Sequence, residues 1–250
     1  MIIKIDHVAL NSISLKEDTK KLKLLGYNHV FTEKNIINPK IKKDLIKQYN
    51  KFHDLALFNC KDNIPIELIN NWNVNYKKGY ITPIFENIFE DSTEIKKENF
   101  NNFKKIRIKY FDVPIFIKEK SNSVIRFNKI VINVNDVENS IKFWECLGFK
   151  LIQNEENYII MKFESFIDSV RWIYLRKIKK SYKHYLDDKG FNCLALISNF
   201  AKKEREIIRA KGFKTTDIEE FKINNKILNI FFSIAPSGEL IEIVSINNRN

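Results

Sequence analysis

The sequence predicts an α+β protein built from tandem β-α-β-β-β modules, paired into curved, cup-like mixed sheets with the helices outside. Two observations carry this. Three stretches share one layout: an apolar strand, a polar cap, an amphipathic helix, a Gly followed by an aromatic, then β-rich runs. They open at KIDHVALNS (4–12), FNKIVINVND (127–136) and FNCLALISN (191–199). Their spacing is also constant. His7 to Gly26, Lys129 to Gly148 and Cys193 to Gly212 are each 19 residues apart, and equal intervals between matching marks signal an internal repeat.

The elements follow in chain order. The first module has its strand at His7, a helix over 15–25, Gly26-Tyr27, and the strands HDLALFNC (53–60) and IPIELIN (64–70). Residues 33–50, EKNIINPKIKKDLIKQYN, are an extra segment, helical or a loop covering the site. An altered module is expected over about 79–127, from the strand YITPIFENI, a helix near 92–104, and the strands KIRIKYF, VPIFIKE and SVIRF. It lacks a Gly-aromatic mark. In the module at 128–178, Val137, Ile141, Trp144 and Leu147 recur at i, i+4, i+7 and i+10, one face of a helix. Asn135 or Asp136 can cap its start, and Gly148 suits the left-handed residue that ends it. The strands FKLIQ, YIIMKF and RWIYLRKI follow. The module at 190–248 has the helix FAKKEREIIRAKGF, then NKILNIFFSIA and ELIEIVSI. A lone module cannot cover both faces of its sheet, so modules pair. Taken in chain order they give an N-terminal domain, 1–125, and a C-terminal domain, 126–250.

Composition narrows the partners. The net charge of +12 makes the surface attractive to anions. The lysines are scattered in pairs such as Lys42-Lys43 and Lys179-Lys180, without the long basic tract of a nucleic-acid arm. No run approaches the ~20 apolar residues of a membrane span, and no signal-peptide core is visible. Cys60, Cys146 and Cys193 are too few and too odd in number for a disulfide scaffold and have no CxxC spacing. These features predict a cytoplasmic protein without nucleic-acid or membrane partners. GxSxG, Walker A and GxGxxG are absent from the sequence, which removes those enzyme classes.

Asp6-His7-Val8-Ala9-Leu10, Leu25-Gly26-Tyr27, Ile66-Glu67-Leu68-Ile69, Leu147-Gly148-Phe149 and the ending Pro236-Ser237-Gly238-Glu239-Leu240-Ile241-Glu242-Ile243-Val244 resemble the vicinal oxygen chelate superfamily. Its members include glyoxalase I, methylmalonyl-CoA epimerase, bleomycin-resistance proteins and extradiol dioxygenases. The resemblance implies a cup that holds a divalent metal through the first and last strands of paired modules. Carried over by position, the first-strand sites are His7, Lys129 and Cys193, and the last-strand sites are Glu67, Tyr174 and Glu242. His7, Glu67, Cys193 and Glu242 are then the candidate ligands, for Fe, Mn, Ni, Co or Zn, and Glu67 and Glu242 the candidate catalytic groups. His53, Lys129 and Tyr174 are candidates for contacting substrate.

The pairing decides the ligand set. In chain order, one cup receives Lys129, Tyr174, Cys193 and Glu242, closer to a Lys–Glu pair than to a metal centre. The other has His7 and Glu67 with Ile84 or Phe85 opposite. If residues 1–70 pair instead with the last module, His7, Glu67, Cys193 and Glu242 meet. His53, Thr82 or Glu86 could also complete the first half. In each case an ionised Glu inside an apolar strand is costly without a partner, and a metal, Lys or Arg would relieve it.

The implied function is binding of a small, anionic molecule in the cup. The enzymatic reading is a metal-dependent lyase or isomerase of glyoxalase or epimerase type, with Glu67 or Glu242 as general base. A dioxygenase needs two His and a carboxylate, and the second half lacks the histidines. The alternative is a metal-free binding or sequestering protein with a degenerate site, and a third reading has the cup filled by side chains. A homodimer is left open.

Overall fold

The computed structural model describes residues 1–72, 75–86, 99–100, 103–108, 113–118, 125–180 and 182–246. The first module comprises β1 (Ile2–Asn11), α1 (Leu15–Leu24), β2 (Asn28–Ile37), β3 (Phe52–Asn59) and β4 (Ile66–Asn70), and β5 (Asn75–Lys78) follows it. The second comprises β6 (Ile81–Glu86), β7 (Asn99–Phe100), β8 (Phe103–Ile108) and β9 (Val113–Lys118). The third runs β10 (Arg126–Val134), α2 (Val137–Cys146), β11 (Lys150–Asn154), β12 (Tyr158–Ser165) and β13 (Asp168–Lys177). The fourth runs β14 (Asp188–Ser198), α3 (Ala201–Ala210), β15 (Lys214–Thr215), β16 (Glu219–Ile223), β17 (Lys226–Ile234) and β18 (Leu240–Ile246).

Local chemistry sets the module ends. Ser14 caps α1 by accepting from the Glu17 amide, and Asp136 caps α2 by accepting from the Asn139 amide at 3.2 Å. Gly26, Gly148 and Gly212 close the three helices at φ of +81°, +89° and +85°, where a side chain would be strained. In the altered module, residues 92–98 of the expected helix lie outside the described residues, and 99–100 and 103–104 are strand. Arg126 and Phe127, expected to end that module, instead begin β10. Residues 33–37 of the extra segment complete β2, and Lys40–Lys42 form a single 3-10 turn.

The modules pair in a nested order. One mixed sheet runs β15-β17-β18-β14-β1-β4-β3-β2, joining the first module to the fourth, with β16 beside β17 and β5 beside β14. The other runs β11-β12-β13-β10-β6-β9-β8-β7, joining the second to the third. Each sheet therefore draws strands from both 1–125 and 126–250, and of the two pairings the sequence allows it is the first module with the fourth that forms. The central joints are antiparallel, β1 with β14 and β10 with β6. Each module's last strand lies parallel to its first, as β4 does to β1 and β18 to β14.

A single buried apolar cluster takes Val8, Leu68, Leu194 and Ile243 from one sheet, Ile130, Met161 and Leu175 from the other, and Leu22, Trp144 and Ile208 from the helices. The helices thus cover one face of each sheet, and the opposite face is free to form a cup. Ser237 ties the sheets together by accepting from the amides of Asn135 and Asp136 at 3.0 and 3.4 Å. Arg171 does likewise, bonding the carbonyls of Asp62 and Asn63 at 2.8 and 3.2 Å. Among the described residues no helix is long and apolar enough to cross a membrane.

A cut between residues 125 and 126 removes half of each sheet. Fragments 1–125 and 126–250 made separately are expected to give poorly dispersed amide NMR spectra and to recover dispersion when mixed. Two halves that each fold alone would contradict the nested pairing.

Candidate functional site

The register of β1 and β14 builds the first cup. His7 lies opposite Ala195, and Ala9 opposite Cys193. Ala9 also pairs with Glu67 on β4, and Ala195 with Glu242 on β18. The two halves repeat one pattern, in which His7 corresponds to Cys193 and Glu67 to Glu242. Side chains alternate along a strand. Their neighbours Val8, Leu68, Leu194 and Ile241 face the helices, so these four face the cup.

Three of the four converge. His7 Nδ1 sits 3.0 Å from Asp6 Oδ2, and Asp6 in turn lies 3.4 Å from Lys4 Nζ. A carboxylate at Nδ1 orients the ring and aims Nε2 inward. Nε2 is 3.3 Å from Glu67 Oε2 and 4.0 Å from Glu242 Oε2. It is off the axis of a hydrogen bond to either, so this buried nitrogen has no aligned partner. Cys193 does not join them: its Sγ turns to the Leu240 carbonyl at 3.3 Å, and burial pushes its thiol pKa well up.

The electrostatics separate the two acids. Burial opposes a charge on His7, but Glu67 and Asp6 outweigh it and hold the ring well above the usual His value. Burial also raises Glu67, yet His7, with help from Lys42 and His53, brings it below its ordinary value. Glu242 goes the other way, because burial raises it and Lys42 and His7 offset only part of that. The two acids are thus shifted in opposite directions beside one imidazole, Glu67 down and Glu242 up.

The extra segment crosses this cup and fills it. Ile41 N donates to Glu219 Oε2 at 3.0 Å, and the Lys47 and Gln48 amides donate to the Asp187 carboxylate at 2.8 and 3.0 Å. Leu186 N donates to Leu45 O at 2.8 Å. Leu45 and Ile46 bury themselves against Ala9, Ile69, Cys193 and Phe232. Lys42 is 7% exposed, with its ammonium 5.7 and 5.8 Å from the ring centres of Phe221 and Phe232. A void of about 10 Å³ remains, lined by Lys42, Cys193 and Glu242 among others, room for about one water. A larger groove of about 820 Å³ lies away from the cup, beside α2, Gly212 and the 234–238 turn.

The remaining candidates are elsewhere or sealed. His53 is fully buried, stacked on Phe221 at 6.3 Å, and burial with the nearby Lys42 takes its pKa down to about 3. Lys129 and Tyr174 belong to the second cup. There Lys129 lies opposite Ile84, and Val131 opposite Thr82, so Thr82, rather than Ile84 or Phe85, matches Lys129. Tyr174 beside Val131 matches Phe116 beside Ile84. Lys129 forms an ion pair with the buried Glu86. Among the described residues no group of three or more His, Cys, Asp or Glu is disposed to hold a metal ion. Sequence reasoning missed Asp6 and Lys42 as site residues. Asp6 adjoins His7 and could have been weighed as its anchor, whereas Lys42 has no local signal among so many lysines.

It also missed Glu239, an acid in the turn before β18. Glu239 is fully buried, with neither carboxyl oxygen meeting an aligned donor. Burial raises its pKa to about 7, although the amides of Ser237 and Glu239 offset part of this. Its contribution to stability is intact below the unfolded value of 4.5 and is lost as pH rises through 7. Glu239→Gln should therefore gain on the wild type by up to about 3 kcal/mol between pH 5 and pH 8, read from urea midpoints. A gap independent of pH would contradict this.

No family model matches the sequence, and no curated protein matches it. Solved structures do match. Glyoxalase I from Zea mays is 15% identical, with a TM-score of 0.64 over 97% of this chain and 92% of that one. A protein of Bacillus subtilis subsp. subtilis strain 168, assigned as a candidate dioxygenase, is 11% identical, with a TM-score of 0.65 over 98% of this chain and 86% of that one. Together with the four modules, these likenesses show that the chain has the vicinal oxygen chelate fold.

Proposed function

We propose that the protein binds a small, oxygen-rich anion in the cup of its first and fourth modules and moves a proton on it, as a lyase or isomerase does. The observation that carries this reading is the convergence of two buried acids on one imidazole, with His7 Nε2 3.3 Å from Glu67 and 4.0 Å from Glu242. Glu67 is shifted down and Glu242 up, and such a split is how paired carboxyls come to serve as base and acid. In this reading Glu67 takes the proton and Glu242 returns it, while His7 and Lys42 bind the negative charge that develops. Asp6 is a positioning residue that holds the His7 ring.

The divalent ion implied by the resemblance would fall to His7, Glu67, Glu242 and Cys193. As arranged these do not fit one, since Cys193 is turned to a carbonyl and, among the described residues, no three such groups are disposed to hold a metal ion. No step is derived through an ion. Binding requires the cover at 39–48 to move, because the void beneath it holds no more than about one water. Lys42 rides on that cover, so closure over an anion would bring its ammonium down with it.

Thermal unfolding with millimolar malonate, pyruvate, 2-oxoglutarate or phosphoglycolate tests the binding. A rise in Tm with at least one of them, abolished in His7→Gln, is expected, and a flat response to all would overturn it. For the compound that binds, exchange of its carbon-bound protons in D2O should fall about 100-fold or more in Glu67→Gln. An unchanged exchange rate would remove Glu67 as the base.

A further inference from the structure

We infer that Lys42 is a second resident cation of the first cup, beside His7: the inserted segment carries a protein ammonium to the void that Glu242 lines, and the closed cup thereby rejects divalent metal. This stands apart from the proposed reaction, since it holds whether or not an anion binds.

Placement is the first argument. Lys42 and Glu242 are 7% and 9% exposed and line one void of about 10 Å³ with Cys193. That space does not admit an ion with water ligands while the segment is in place. The second argument is fixity. The segment is clamped on both sides of Lys42 by Glu219, Asp187 and the Leu45–Leu186 backbone bond. Leu45 and Ile46 are buried at 6% and 4%. The ammonium also rests against the faces of Phe221 and Phe232 at distances suited to a cation–π contact.

The third argument is repetition. A buried lysine needs anionic partners, and a cup lined with acids needs positive charge. In the second cup Lys129, at a first-strand position, meets the need through Glu86. In the first cup that position is His7, and the lysine comes from the insertion. Both cups obtain a cation from the chain itself. Removing Lys42 leaves His7, Glu67 and Glu242 facing one another with a positive charge missing.

Zinc binding read by competition with a fluorescent indicator tests this directly. Wild type and Lys42→Arg are expected to hold less than about a tenth of an equivalent after desalting. Lys42→Met is expected to bind Zn2+ at least ten-fold more tightly than wild type, and a second change, His7→Ala, is expected to abolish the gain. One equivalent of Zn2+ on the wild type, lost in His7→Ala, would overturn the inference, as would no gain in a folded Lys42→Met. If Lys42→Met does not fold, Lys42→Met/Glu242→Gln should restore a cooperative melt, because the unpaired acid is then gone. Failure to restore it would also overturn the inference.

Discussion

The ladder between β1 and β14 is the constraint on which the cup depends. The end of β1 at Asn11 and the start of β14 at Asp188 are 177 positions apart in the chain, yet their register sets His7 against Ala195 and Ala9 against Cys193. A slip of one residue would turn His7 toward the helices and Val8 into the cup. Since β4 and β18 hang in parallel from β1 and β14, the same register carries Glu67 and Glu242 to His7. Three side chains from the two ends of the sequence become neighbours through one pairing.

Once gathered, these groups create a demand for positive charge. Glu67 and Glu242, largely buried, and the half-buried Asp6 surround a single buried imidazole. The shifts follow from that crowding: His7 is raised well above its ordinary value, Glu67 is lowered and Glu242 is raised. The cover answers the same demand with Lys42, and the same lysine helps hold His53 uncharged. Apolar packing by Leu45 and Ile46 and a staple through Asp187 keep the cation where the acids require it. Fold, cover and ionisation are thus coupled.

What the sequence disclosed was mostly local. The glycines that end each helix and the cap of α2, at Asp136 of the two candidates Asn135 and Asp136, are decided by near neighbours and lie where the sequence puts them. Glu67 and Glu242 stood out because a charge within an apolar strand is conspicuous anywhere. The nested order was a different matter. Each module offers two compatible partners, and the choice rests on contacts between strands far apart in sequence. The 79–127 module had lost the Gly-aromatic mark, so its helix was placed by analogy, and 99–100 and 103–104 are strand instead. Lys42 was hidden because its role comes from where the segment lands, and Glu239 because turn acids are ordinarily solvated.

The account stands on His7 being an imidazolium held between acids, and 15N NMR of its ring reports that state most directly. With the wild-type chain near pH 7.5, both ring nitrogens of His7 should carry protons, titrating well above the ordinary histidine value of 6.5. A neutral His7 ring at that pH, titrating at or below 6.5, would contradict the convergence of Asp6, Glu67 and Glu242 on this side chain.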